Sequence, residues 1–406
     1  MAAFRVFFFL ILDYISTVKH ITHIPKEPEA TEERRALVKE WSGQKLEALL
    51  TQRFDPTLVI KRNCENFIGS VEIPVGIAGP LLLSRNAEQK EYLVPLATTE
   101  GALIASVNRG MKVIRESNGC AVISKNEGMT RAPVFKCTNG AVAIELKNWI
   151  LAHFNEIKHV AESTSSHLEL LHVHAWILGR HLYCRFSAHT GDAMGMNMLT
   201  IGLQKAIDTV VLPAWKSKTT CVALTSNLCT DKKANDINAL LGRGYWAQAE
   251  TTIPRNIIES VLKTTPERMI EVHVQKNLVG SSLAGSRSQN AHVANIVSAL
   301  FLATGQDPAH IVEGSLGFTA FELNDDGSLY ASVTLPNLNI GVIGGGTSLP
   351  AFRDARTLIS NTLLPLEFSE VIAGSALAGE LSLIASLSTQ SLACAHEQLG
   401  RISHQK

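Results

Sequence analysis

Four ionisable residues lie in or beside short motifs of a largely apolar sequence: Glu100, Lys232, Asp307 and His396. Carboxyl and imidazole groups can donate and accept protons during a reaction, and an ammonium group can stabilise negative charge on a reacting oxygen. The four residue types would therefore suit general acid–base catalysis combined with electrostatic stabilisation. His396 follows a long apolar stretch near the end of the chain, which is the first indication of a site.

Each of the four residues also has a purely structural interpretation. Glu100 could be a first-turn carboxylate favoured by the helix dipole, and Lys232 could be a solvated lysine in a turn. Asp307 precedes Pro308, a pair typical of a helix N-cap followed by proline in the first turn. His396 could be a histidine at a helix C-terminus, where its cation is favoured. Because caps and ion pairs are common, each residue taken alone favours the structural role.

Two glycine-containing stretches favour a bound ligand. In GDAMGMNM (191–198), the small residues Ala193 and Gly195 would leave a helix N-terminus and its free N–H groups open to a phosphate. The GGGT stretch (344–347) could form a flexible backbone cradle for a phosphate or a nicotinamide. The alternatives are a capped core helix packed by methionines and an ordinary loop. Neither stretch is the G-x-G-x-x-G fingerprint of dinucleotide-binding folds.

A long apolar segment, FSEVIAGSALAGELSLIASLSTQSLACA (368–395), predicts a central helix, since only Glu370 and Glu380 in it are charged. A helix with no polar face must be surrounded by protein. Its alanines and glycines would let neighbouring backbones approach closely. A membrane span is the alternative, but Glu380 and the repeated serines argue against it, because a span needs about 20 predominantly apolar residues. We expect a large domain built around this helix.

The segment 135–226 predicts a small domain inserted in the large one. Its expected elements are a strand VAIEL (142–146), a helix (148–162), strands at 168–177 and 181–187 about a turn at Gly179-Arg180, a helix (193–212) and a strand (221–225). This β-α-β-β-α-β order is that of a ferredoxin-like unit. The predicted fold class is therefore α+β, with a large domain around the central helix and an inserted ferredoxin-like small domain.

The remaining predicted elements belong to the large domain. They are a helix within Leu93–Gly119, with Glu100 in its first turn, a strand near 244–251, a strand MIEVHV (269–274), a helix from about Asn290 to Thr304, and a hairpin with strands 317–323 and 329–335. The predicted sections are a helical N-terminal region (1–60), the two parts of the large domain (61–134 and 227–396), the small domain (135–226) and a C-terminal tail (397–406).

The composition excludes several kinds of partner. The 406 residues include 37 basic and 37 acidic ones, so the net charge gives no reason to expect a nucleic acid or an acidic membrane. Seven scattered cysteines without a C-x-x-C pair argue against a disulfide framework or a zinc site, and for a reducing, cytoplasmic compartment. No metal is expected. The apolar run from Val6 to Leu12 is too short to span a bilayer, and we expect it to be packed or interfacial.

Many long motifs, in order, resemble the class I form of 3-hydroxy-3-methylglutaryl-coenzyme A (HMG-CoA) reductase. They are ENFIGSVEIPVGIAGP, PLATTEGALIASVNRG, GMTRAP, GDAMGMNM, NLCTDKKAN, QKNLVGSSLAGS, NAHVANIV, GQDPAH, IGGGTSLP and the apolar helix ending at His396. The resemblance runs in register from about Cys64 to His396. Because it rests on so many long motifs in the same order, it is far more specific than any single pattern.

The resemblance implies reduction of the HMG-CoA thioester to mevalonate and free coenzyme A with two NADPH, through hemithioacetal and aldehyde intermediates. This is a step of the mevalonate pathway of isoprenoid biosynthesis. By the resemblance, Lys232 stabilises the oxyanion and Asp307 orients Lys232. His396 protonates the departing coenzyme A thiolate, and Glu100 supplies a proton to the final alkoxide. HMG-CoA and coenzyme A are the implied partners.

Binding residues follow from the same resemblance, position by position. Contacts to the hydroxymethylglutaryl group are implied for Arg131, Lys233, Lys276 and Asn295, and contacts to coenzyme A for Ser106, Asn108, Arg109, Lys263 and His292. Cofactor contacts are implied for Asp192, Met194, Gly195, Met196, Asn197, Ser165, Ser166, Gly344, Gly345, Gly346 and Thr347. Charge-assisted hydrogen bonds from the basic residues would suit a carboxylate.

The resemblance also implies at least a homodimer, because the family's lysine loop meets the glutamate and aspartate of another subunit. Ser166 stands where many relatives have an arginine that can bind the 2′-phosphate of NADPH, and His167 could replace it. NADPH is therefore the expected cofactor, and a preference for NADH stays open. The membrane anchor of animal relatives has no match, which favours a soluble enzyme. Their C-terminal phosphorylation serine has none either, since Ile402 stands in its place.

Two other classes of protein would share much of the resemblance. A non-catalytic coenzyme A thioester-binding protein predicts that one of the four ionisable residues is lost, yet all are present. A dimeric scaffold with a filled cleft predicts bulky residues in DAMGMN or GGGT, and neither stretch has them. A P-loop nucleotidase is excluded because the sequence has no G-x-x-x-x-G-K-[ST] motif.

Overall fold

The computed structural model describes residues 21–390. The apolar run Val6–Leu12, His396 and the tail 397–406 lie outside these residues. The chain divides into two compact units, one ending at Ile73 and the other beginning at Pro74.

The first unit consists of helices. They are the 3₁₀ turns Ile21–His23 and Pro28–Ala30 and the helices Thr31–Ser42, Glu47–Leu50 and Pro56–Val59. Arg34 is fully buried, and its guanidinium donates to the carbonyl oxygens of Phe67 at 3.0 Å and Pro25 at 2.6 Å. A buried guanidinium needs such acceptors, because an unpaired charge in the interior is costly. Arg34 therefore connects the two ends of this unit.

The second unit contains a sheet of ten strands within the described residues. They are β1 (Val75–Arg85), β2 (Glu88–Ala97), β3 (Cys120–Arg131), β4 (Val134–Cys137), β5 (Glu169–Leu178), β6 (His181–His189), β7 (Thr219–Ala223), β8 (Gly244–Ile253), β9 (Phe318–Leu323) and β10 (Leu329–Leu338). The strand order is β7-β4-β6-β3-β8-β10-β9, with β5 beside β6 and with β1 pairing β2 and β3. Only β1 and β3 pair in parallel among these strands. The fold is mixed α/β with an antiparallel sheet.

Helices cover the sheet. Their bounds are Leu103–Glu116, Gly140–Ala152, Phe154–Glu162, Met196–Ala206, Leu212–Trp215, Ile237–Leu241, Arg255–Ile257, Pro266–Val272, Ser281–Ala284, Val293–Thr304, Ile311–Gly314, Pro350–Ile359 and Pro365–Ser388. The π-helical segments are Ile207–Val211, Ile258–Leu262 and His273–Gly280, and the 3₁₀ turns are Pro308–His310 and Gly345–Ser348.

The predicted central helix is present as Pro365–Ser388. It packs against β3, β8 and β10 and against the helices Leu103–Glu116 and Val293–Thr304. The helix is apolar and long enough to cross a membrane, but 89% of its most apolar window is buried in protein, as in a core helix. It ends seven residues before the predicted end at Ala395, because Thr389 caps it and Gln390 has a left-handed φ of 57°.

Two hydrophobic cores lie along the sheet. The first surrounds the central helix, and the second lies between β4–β6 and the helices Gly140–Ala152, Phe154–Glu162 and Met196–Ala206. β3 belongs to both regions, because its first part pairs with β8 and its last residues pair with β6. One continuous strand therefore joins the two cores.

The predicted strand VAIEL (142–146) is wrong, because these residues lie inside the helix Gly140–Ala152. The Asn139 side chain caps that helix by accepting from the Val142 amide at 2.9 Å. Buried Ala143, Leu146 and Ile150 follow at helical spacing. The first strand of this region is instead β4, Val134–Cys137. Two residues of local alternation suggested a strand, but the cap and the longer period decided the outcome.

The predicted strand MIEVHV (269–274) is also helical, within Pro266–Val272 and His273–Gly280. Thr265 caps this helix and Pro266 opens it. Met269, His273 and Asn277 are buried four residues apart on one face. The predicted helix within Leu93–Gly119 begins only at Leu103, because β2 extends to Ala97. Glu100 therefore lies in the preceding loop and not in a first helical turn.

We expect Gly110→Ala to destabilise the second unit. A Cβ at Gly110 would lie 1.8 Å from the backbone oxygen of Ala378 on the central helix, so the two helices would have to separate. Overpacking of this kind costs about 1–3 kcal/mol. Thermal unfolding should show a midpoint several degrees lower. Ala105→Val, on the exposed side of the same helix, is the control and should change the midpoint little. Equal midpoints for both variants would contradict the close packing.

Candidate active site

Lys232 and Asp307 form an ion pair, with the Lys232 Nζ 2.8 Å from the Asp307 Oδ2. Lys232 lies in the loop between β7 and β8 with a left-handed φ of 58°. Asp307 caps the turn Pro308–His310, where its Oδ1 accepts from the Ala309 amide at 3.0 Å. Both side chains are about one-third exposed. The structure therefore brings together two of the four predicted catalytic residues.

Asp307 is held ionised by its surroundings. Burial, the largest single effect, raises the pKa of Asp307, but the hydrogen bonds from Lys232 and the Ala309 amide and the charges of His310 and Lys232 together outweigh it. Its pKa therefore lies below the ordinary value. A carboxylate that keeps its charge can hold the lysine ammonium in one position. Asp307 thus has the geometry and the charge to orient Lys232.

A buried carboxylate, Glu313, fixes the loop that carries Lys232. Its Oε1 accepts from the Lys232 amide at 3.1 Å and from the Arg243 Nη1 at 2.5 Å, and its Oε2 accepts from the Asn238 Nδ2 at 3.2 Å. His310 Nδ1 lies 2.7 Å from the same Oε1. All four groups around the loop, Glu313, Arg243, Asn238 and His310, are fully buried. The buried Glu313 carboxylate therefore holds the left-handed backbone at Lys232 in place.

Asp231, next to Lys232, connects this loop to the rest of the site. It pairs with Arg131 and Arg243, each at 3.3 Å. The Arg131 Nε also donates to the Thr200 Oγ1 at 2.7 Å, on the helix that follows GDAMGMNM. Arg131 therefore lies beside the lysine loop, where it is paired with protein groups. Its two partners link the lysine loop to the predicted cofactor helix.

The side chains of Asp231, His310 and Glu313 could in principle hold a metal ion, since their ligand atoms lie within 4.8 Å of one another. Arg243, however, pairs with both carboxylates. A guanidinium in that position would repel a divalent cation and occupies the oxygens that would bind it. The donor set therefore favours an ion-pair network over a metal site.

Glu100 forms a second cluster with Asn295, whose Nδ2 donates to the Glu100 Oε2 at 2.8 Å. Within residues 21–390 of one chain, Glu100 makes no ion pair with Lys232. The resemblance implied that the lysine loop meets the glutamate and aspartate of another subunit, and this arrangement stays a prediction. Within one chain, Lys232 pairs with Asp307, because Glu313, six residues after Asp307, holds the lysine loop directly. His396 lies outside the described residues.

The two predicted cofactor stretches meet. Asp192 O accepts from the amides of Val342 at 2.8 Å and Ile343 at 3.3 Å. A Cβ on Gly341 would lie 2.5 Å from the Met194 amide nitrogen, so only glycine permits this approach. Gly344 and Gly345 have left-handed φ values and no described atom within 4 Å of an added Cβ. The backbone at Gly344 and Gly345 is therefore open, whereas a Cβ on Gly346 would lie 2.8 Å from the Gly305 carbonyl oxygen. The Thr347 hydroxyl closes the turn on Gly344 O at 2.6 Å.

His292 is oriented by Glu380 of the central helix. The Glu380 carboxylate accepts from the amides of Ala291 and His292 and from the Thr319 hydroxyl, each at 2.8 Å, and lies 3.2 Å from the His292 Nδ1. Burial, the largest effect, raises the pKa of Glu380, but the hydrogen bonds and the charge of His292 outweigh it and hold the pKa below its ordinary value. This arrangement leaves the other ring nitrogen of His292 facing away from the carboxylate.

Other residues with implied binding roles are engaged within the protein. Arg109 donates to the Ser382 oxygen at 2.6 Å and to the Ser386 hydroxyl, and Ser106 bonds Ser382 at 2.9 Å. Asn108 accepts from the Gly79 amide at 2.8 Å. These side chains anchor the helix Leu103–Glu116. Seven further residues with implied binding roles lie away from this helix on the surface of the unit, and most of them are exposed. They are Lys233, Lys263, Lys276, Met196, Asn197, Ser165 and Ser166.

Sequence reasoning missed the buried part of the site. Asp231 lies in the CTDKKAN motif but had no assigned role, and Arg243 and Asn238 had none either. His310 and Glu313 follow Asp307 at helical spacing, which was the available signal. That spacing alone could not show that they face the lysine loop, because the loop comes from another part of the chain.

A lysine ammonium held by an ionised carboxylate has the charge and the fixed position that can stabilise negative charge on a carbonyl oxygen. The sequence profile of the family described as "Hydroxymethylglutaryl-coenzyme A reductase" matches residues 30–401. The chain belongs to this family.

Curated relatives agree over nearly the whole length. The 3-hydroxy-3-methylglutaryl-coenzyme A reductase of Pyrococcus horikoshii is 45% identical over 380 residues, covering 92% of both chains. That of Methanothermobacter thermautotrophicus is 44% identical over 382 residues, covering 93% of this chain and 95% of its own. A solved class II reductase from Streptococcus pneumoniae, described as bound to NADPH in open conformations, is 19% identical with a TM-score of 0.67, covering 88% and 96% of the two chains. The structural likeness shows a shared fold.

We expect Glu380→Gln to lower the free energy of unfolding at neutral pH by about 1.5–3 kcal/mol, since it weakens hydrogen bonds to a charged acceptor. Because the pKa of Glu380 is depressed on folding, its contribution is present above the ordinary glutamate value and is lost as the pH falls through the folded value. Denaturant unfolding should therefore show the deficit of the variant narrowing below about pH 4. Exposed Glu88→Gln is the control. A deficit independent of pH would contradict the assignment.

Proposed function

We propose that this chain reduces HMG-CoA to mevalonate and free coenzyme A with two NADPH, as an oxidoreductase of the mevalonate pathway. The observation that carries the proposal is the Lys232–Asp307 ion pair, at 2.8 Å, in a chain that belongs to the HMG-CoA reductase family. The ammonium is fixed by a carboxylate and only partly exposed, which is the arrangement that a developing oxyanion requires.

Lys232 is proposed to stabilise both oxyanions of the reaction. Addition of hydride to the thioester carbonyl places negative charge on its oxygen, and a fixed ammonium nearby lowers that barrier. Asp307 orients Lys232 because its charge is retained and its Oδ1 is fixed by the Ala309 amide. The same lysine serves the second reduction, in which the aldehyde oxygen becomes the alkoxide of mevalonate.

Two proton donors are proposed for the remaining steps. His396, outside the described residues, would protonate the coenzyme A thiolate when the hemithioacetal breaks down, because a thiol leaves more readily than a thiolate. Glu100 would supply the proton that the final alkoxide takes up. The Asn295 side-chain amide donates to the Glu100 carboxyl group at 2.8 Å. Asn295 follows, by three residues, the His292 that Glu380 orients.

The residues present fit NADPH. Asp192, Met194, Gly195, Met196 and Asn197 at the start of the helix Met196–Ala206, with Gly344, Gly345, Gly346 and Thr347, would hold its phosphates and nicotinamide. Open space around Gly344 and Gly345 supports this assignment, because side chains there would fill the cradle. When bound, NADPH supplies the hydride for each reduction. Ser165 and Ser166 would bind the 2′-phosphate through their hydroxyl groups. NADH is the alternative cofactor.

Substrate contacts are proposed at two places. Arg131, Lys233, Lys276 and Asn295 would bind the hydroxymethylglutaryl group, and Ser106, Asn108, Arg109, Lys263 and His292 would bind coenzyme A. Arg131 and Asn295 lie in the lysine and Glu100 clusters, which supports the first set. The internal hydrogen bonds of Ser106, Asn108 and Arg109 favour a role in supporting the coenzyme A site over direct contact.

The finer points of architecture are also proposals. The order of β4, β5, β6 and β7 with their helices, and their arrangement β7-β4-β6-β5, support a ferredoxin-like small domain at 135–226 between large-domain sections 61–134 and 227–396. The sections 1–60 and 397–406 precede and follow them in the sequence. Class I membership is supported by identities of 44–45% to archaeal relatives, against 19% to the class II structure. A soluble, cytoplasmic enzyme is supported by the burial of the central helix and by free cysteines among the described residues.

We expect Lys232→Ala to lower kcat for NADPH-dependent reduction of HMG-CoA by about 10²- to 10³-fold, because one donor to the oxyanion is lost. The measurement is NADPH oxidation followed by absorbance. Lys216→Ala removes an exposed lysine after the helix Leu212–Trp215 and should leave the rate unchanged. Absence of turnover in the wild type, or full activity of Lys232→Ala, would show that the chemistry is assigned wrongly.

We also propose at least a homodimer in which Glu100 of one subunit completes the lysine site of the other, because the two clusters are separate within one chain. Inactive Lys232→Ala and Glu100→Ala proteins, unfolded together and refolded, should then recover up to about a quarter of the wild-type activity, since half of the mixed dimers' sites are intact. Each variant refolded alone is the control. Light scattering that shows an active monomer, or no recovery from mixed dimers, would contradict this arrangement.

A further inference from the structure

His310 is fully buried beneath the Lys232–Asp307 pair, and its Nε2 has no hydrogen-bond partner among residues 21–390. We propose that His310 is a positioning residue, whose ring links the buried Glu313 to the Asp307 carboxylate that holds Lys232. The inference rests on the proposed function and extends it, because it assigns a role to a group that the reaction itself does not use. His310 acts through Asp307 and not on the substrate.

The first side of the ring is fixed by Glu313. The His310 Nδ1 lies 2.7 Å from the Glu313 Oε1, which also accepts from Arg243 and from the Lys232 amide. An oxygen that accepts from two N–H groups has no proton of its own to offer. The Nδ1 must therefore carry a proton, and this contact sets the orientation of the ring.

The second side of the ring faces two carboxylates. The His310 Nε2 lies 3.7 Å from the Asp307 Oδ2 and 3.9 Å from the Asp231 Oδ1. The Asp307 oxygen is the same one that the Lys232 Nζ contacts. N–H···O hydrogen bonds extend to about 3.2 Å, so the Nε2 lies close to the carboxylate that holds Lys232 without a hydrogen bond to it.

The ring lies inside a network of ion pairs. Three carboxylates face it or its contacts, Asp231, Asp307 and Glu313, and the cations Arg131, Arg243 and Lys232 pair with them. During the reaction Lys232 turns part of its hydrogen bonding to the substrate oxygen, so its hold on Asp307 weakens. The ring, fixed on Glu313 and close to the Asp307 Oδ2, then limits the movement of that carboxylate.

The experiment compares His310→Gln and His310→Phe with the wild-type enzyme. Glutamine keeps one donor in the space of the ring, whereas phenylalanine keeps only its volume. We expect kcat to fall about ten- to hundredfold in His310→Gln and further in His310→Phe, with KM for HMG-CoA within about twofold. We also expect the acid limb of the kcat–pH profile to move in His310→Gln. Partial retention of activity by glutamine is a result that simple filling of the cavity would not give.

His273→Gln is the matched control. His273 is also buried, at 3% exposure, and its Nδ1 lies 3.1 Å from the Asn277 Nδ2, while its ring packs against Phe321 in another part of the unit. It should lower the thermal midpoint without moving the pH profile. If His310→Gln behaves like His273→Gln, or if it keeps both kcat and the wild-type profile while Lys232→Ala is inactive, the positioning role is wrong although the proposed function stands.

A second measurement does not depend on turnover or on folding of the variants. In full-length wild-type protein labelled with ¹⁵N-histidine, the His310 ring should show a proton on Nδ1 in the free state. Addition of mevalonate with coenzyme A should shift the ¹⁵N resonances of this ring, because Lys232 then shares its hydrogen bonding between Asp307 and the product oxygen. A ring protonated only at Nε2 in the free state, or one unchanged by the products, would overturn the inference. Failure of the wild type to reduce HMG-CoA would instead count against the proposed function.

Discussion

The contact on which the site depends is the acceptance of several donors by the buried Glu313 carboxylate. One of its oxygens holds the backbone of Lys232, the guanidinium of Arg243 and the ring of His310, so three segments distant in sequence meet at one atom. The loop at Lys232 has a left-handed backbone conformation that is unfavourable for a lysine, and such conformations persist only when the surroundings fix them. The position of the Lys232 ammonium is therefore determined by buried groups and not by groups on the surface of the site.

The central helix plays the corresponding role for the fold. Its glycines and the facing Gly110 let neighbouring elements approach its backbone, and its two buried carboxylates, Glu370 and Glu380, accept hydrogen bonds from specific partners. Glu380 accepts four hydrogen bonds at the start of the helix Val293–Thr304, where the free N–H groups and the dipole favour a negative charge. A charge in the middle of an apolar helix thus orients His292 and, one turn later, the Asn295 that holds Glu100. Packing and site geometry are set by the same element.

The sequence pattern predicted the central helix and the β9–β10 hairpin, which rest on long apolar periods and turn residues, and these are local signals. The resemblance implied that Asp307 orients Lys232 and that both glycine stretches bind the cofactor, but it did not show that these stretches meet. Two short segments, VAIEL and MIEVHV, were predicted as strands, because two or three alternating residues cannot be distinguished from one helical turn. The capping residues Asn139 and Thr265 would have favoured helices. Arg243, Asn238 and Glu313 could not be placed, because their role depends on contacts between distant segments.

β3 has a mechanical consequence for the two cores that it joins. Its first residues are hydrogen-bonded to β8 and its last to β6, so no flexible connection lies between the region around Asp192 and the region around the central helix along this strand. Relative displacement of the two regions must be absorbed as twist, distributed over several peptide units, because backbone hydrogen bonds resist sliding. The separation between a nicotinamide ring and the reacting carbon would then change in small increments distributed along β3, and not by rotation about a single hinge.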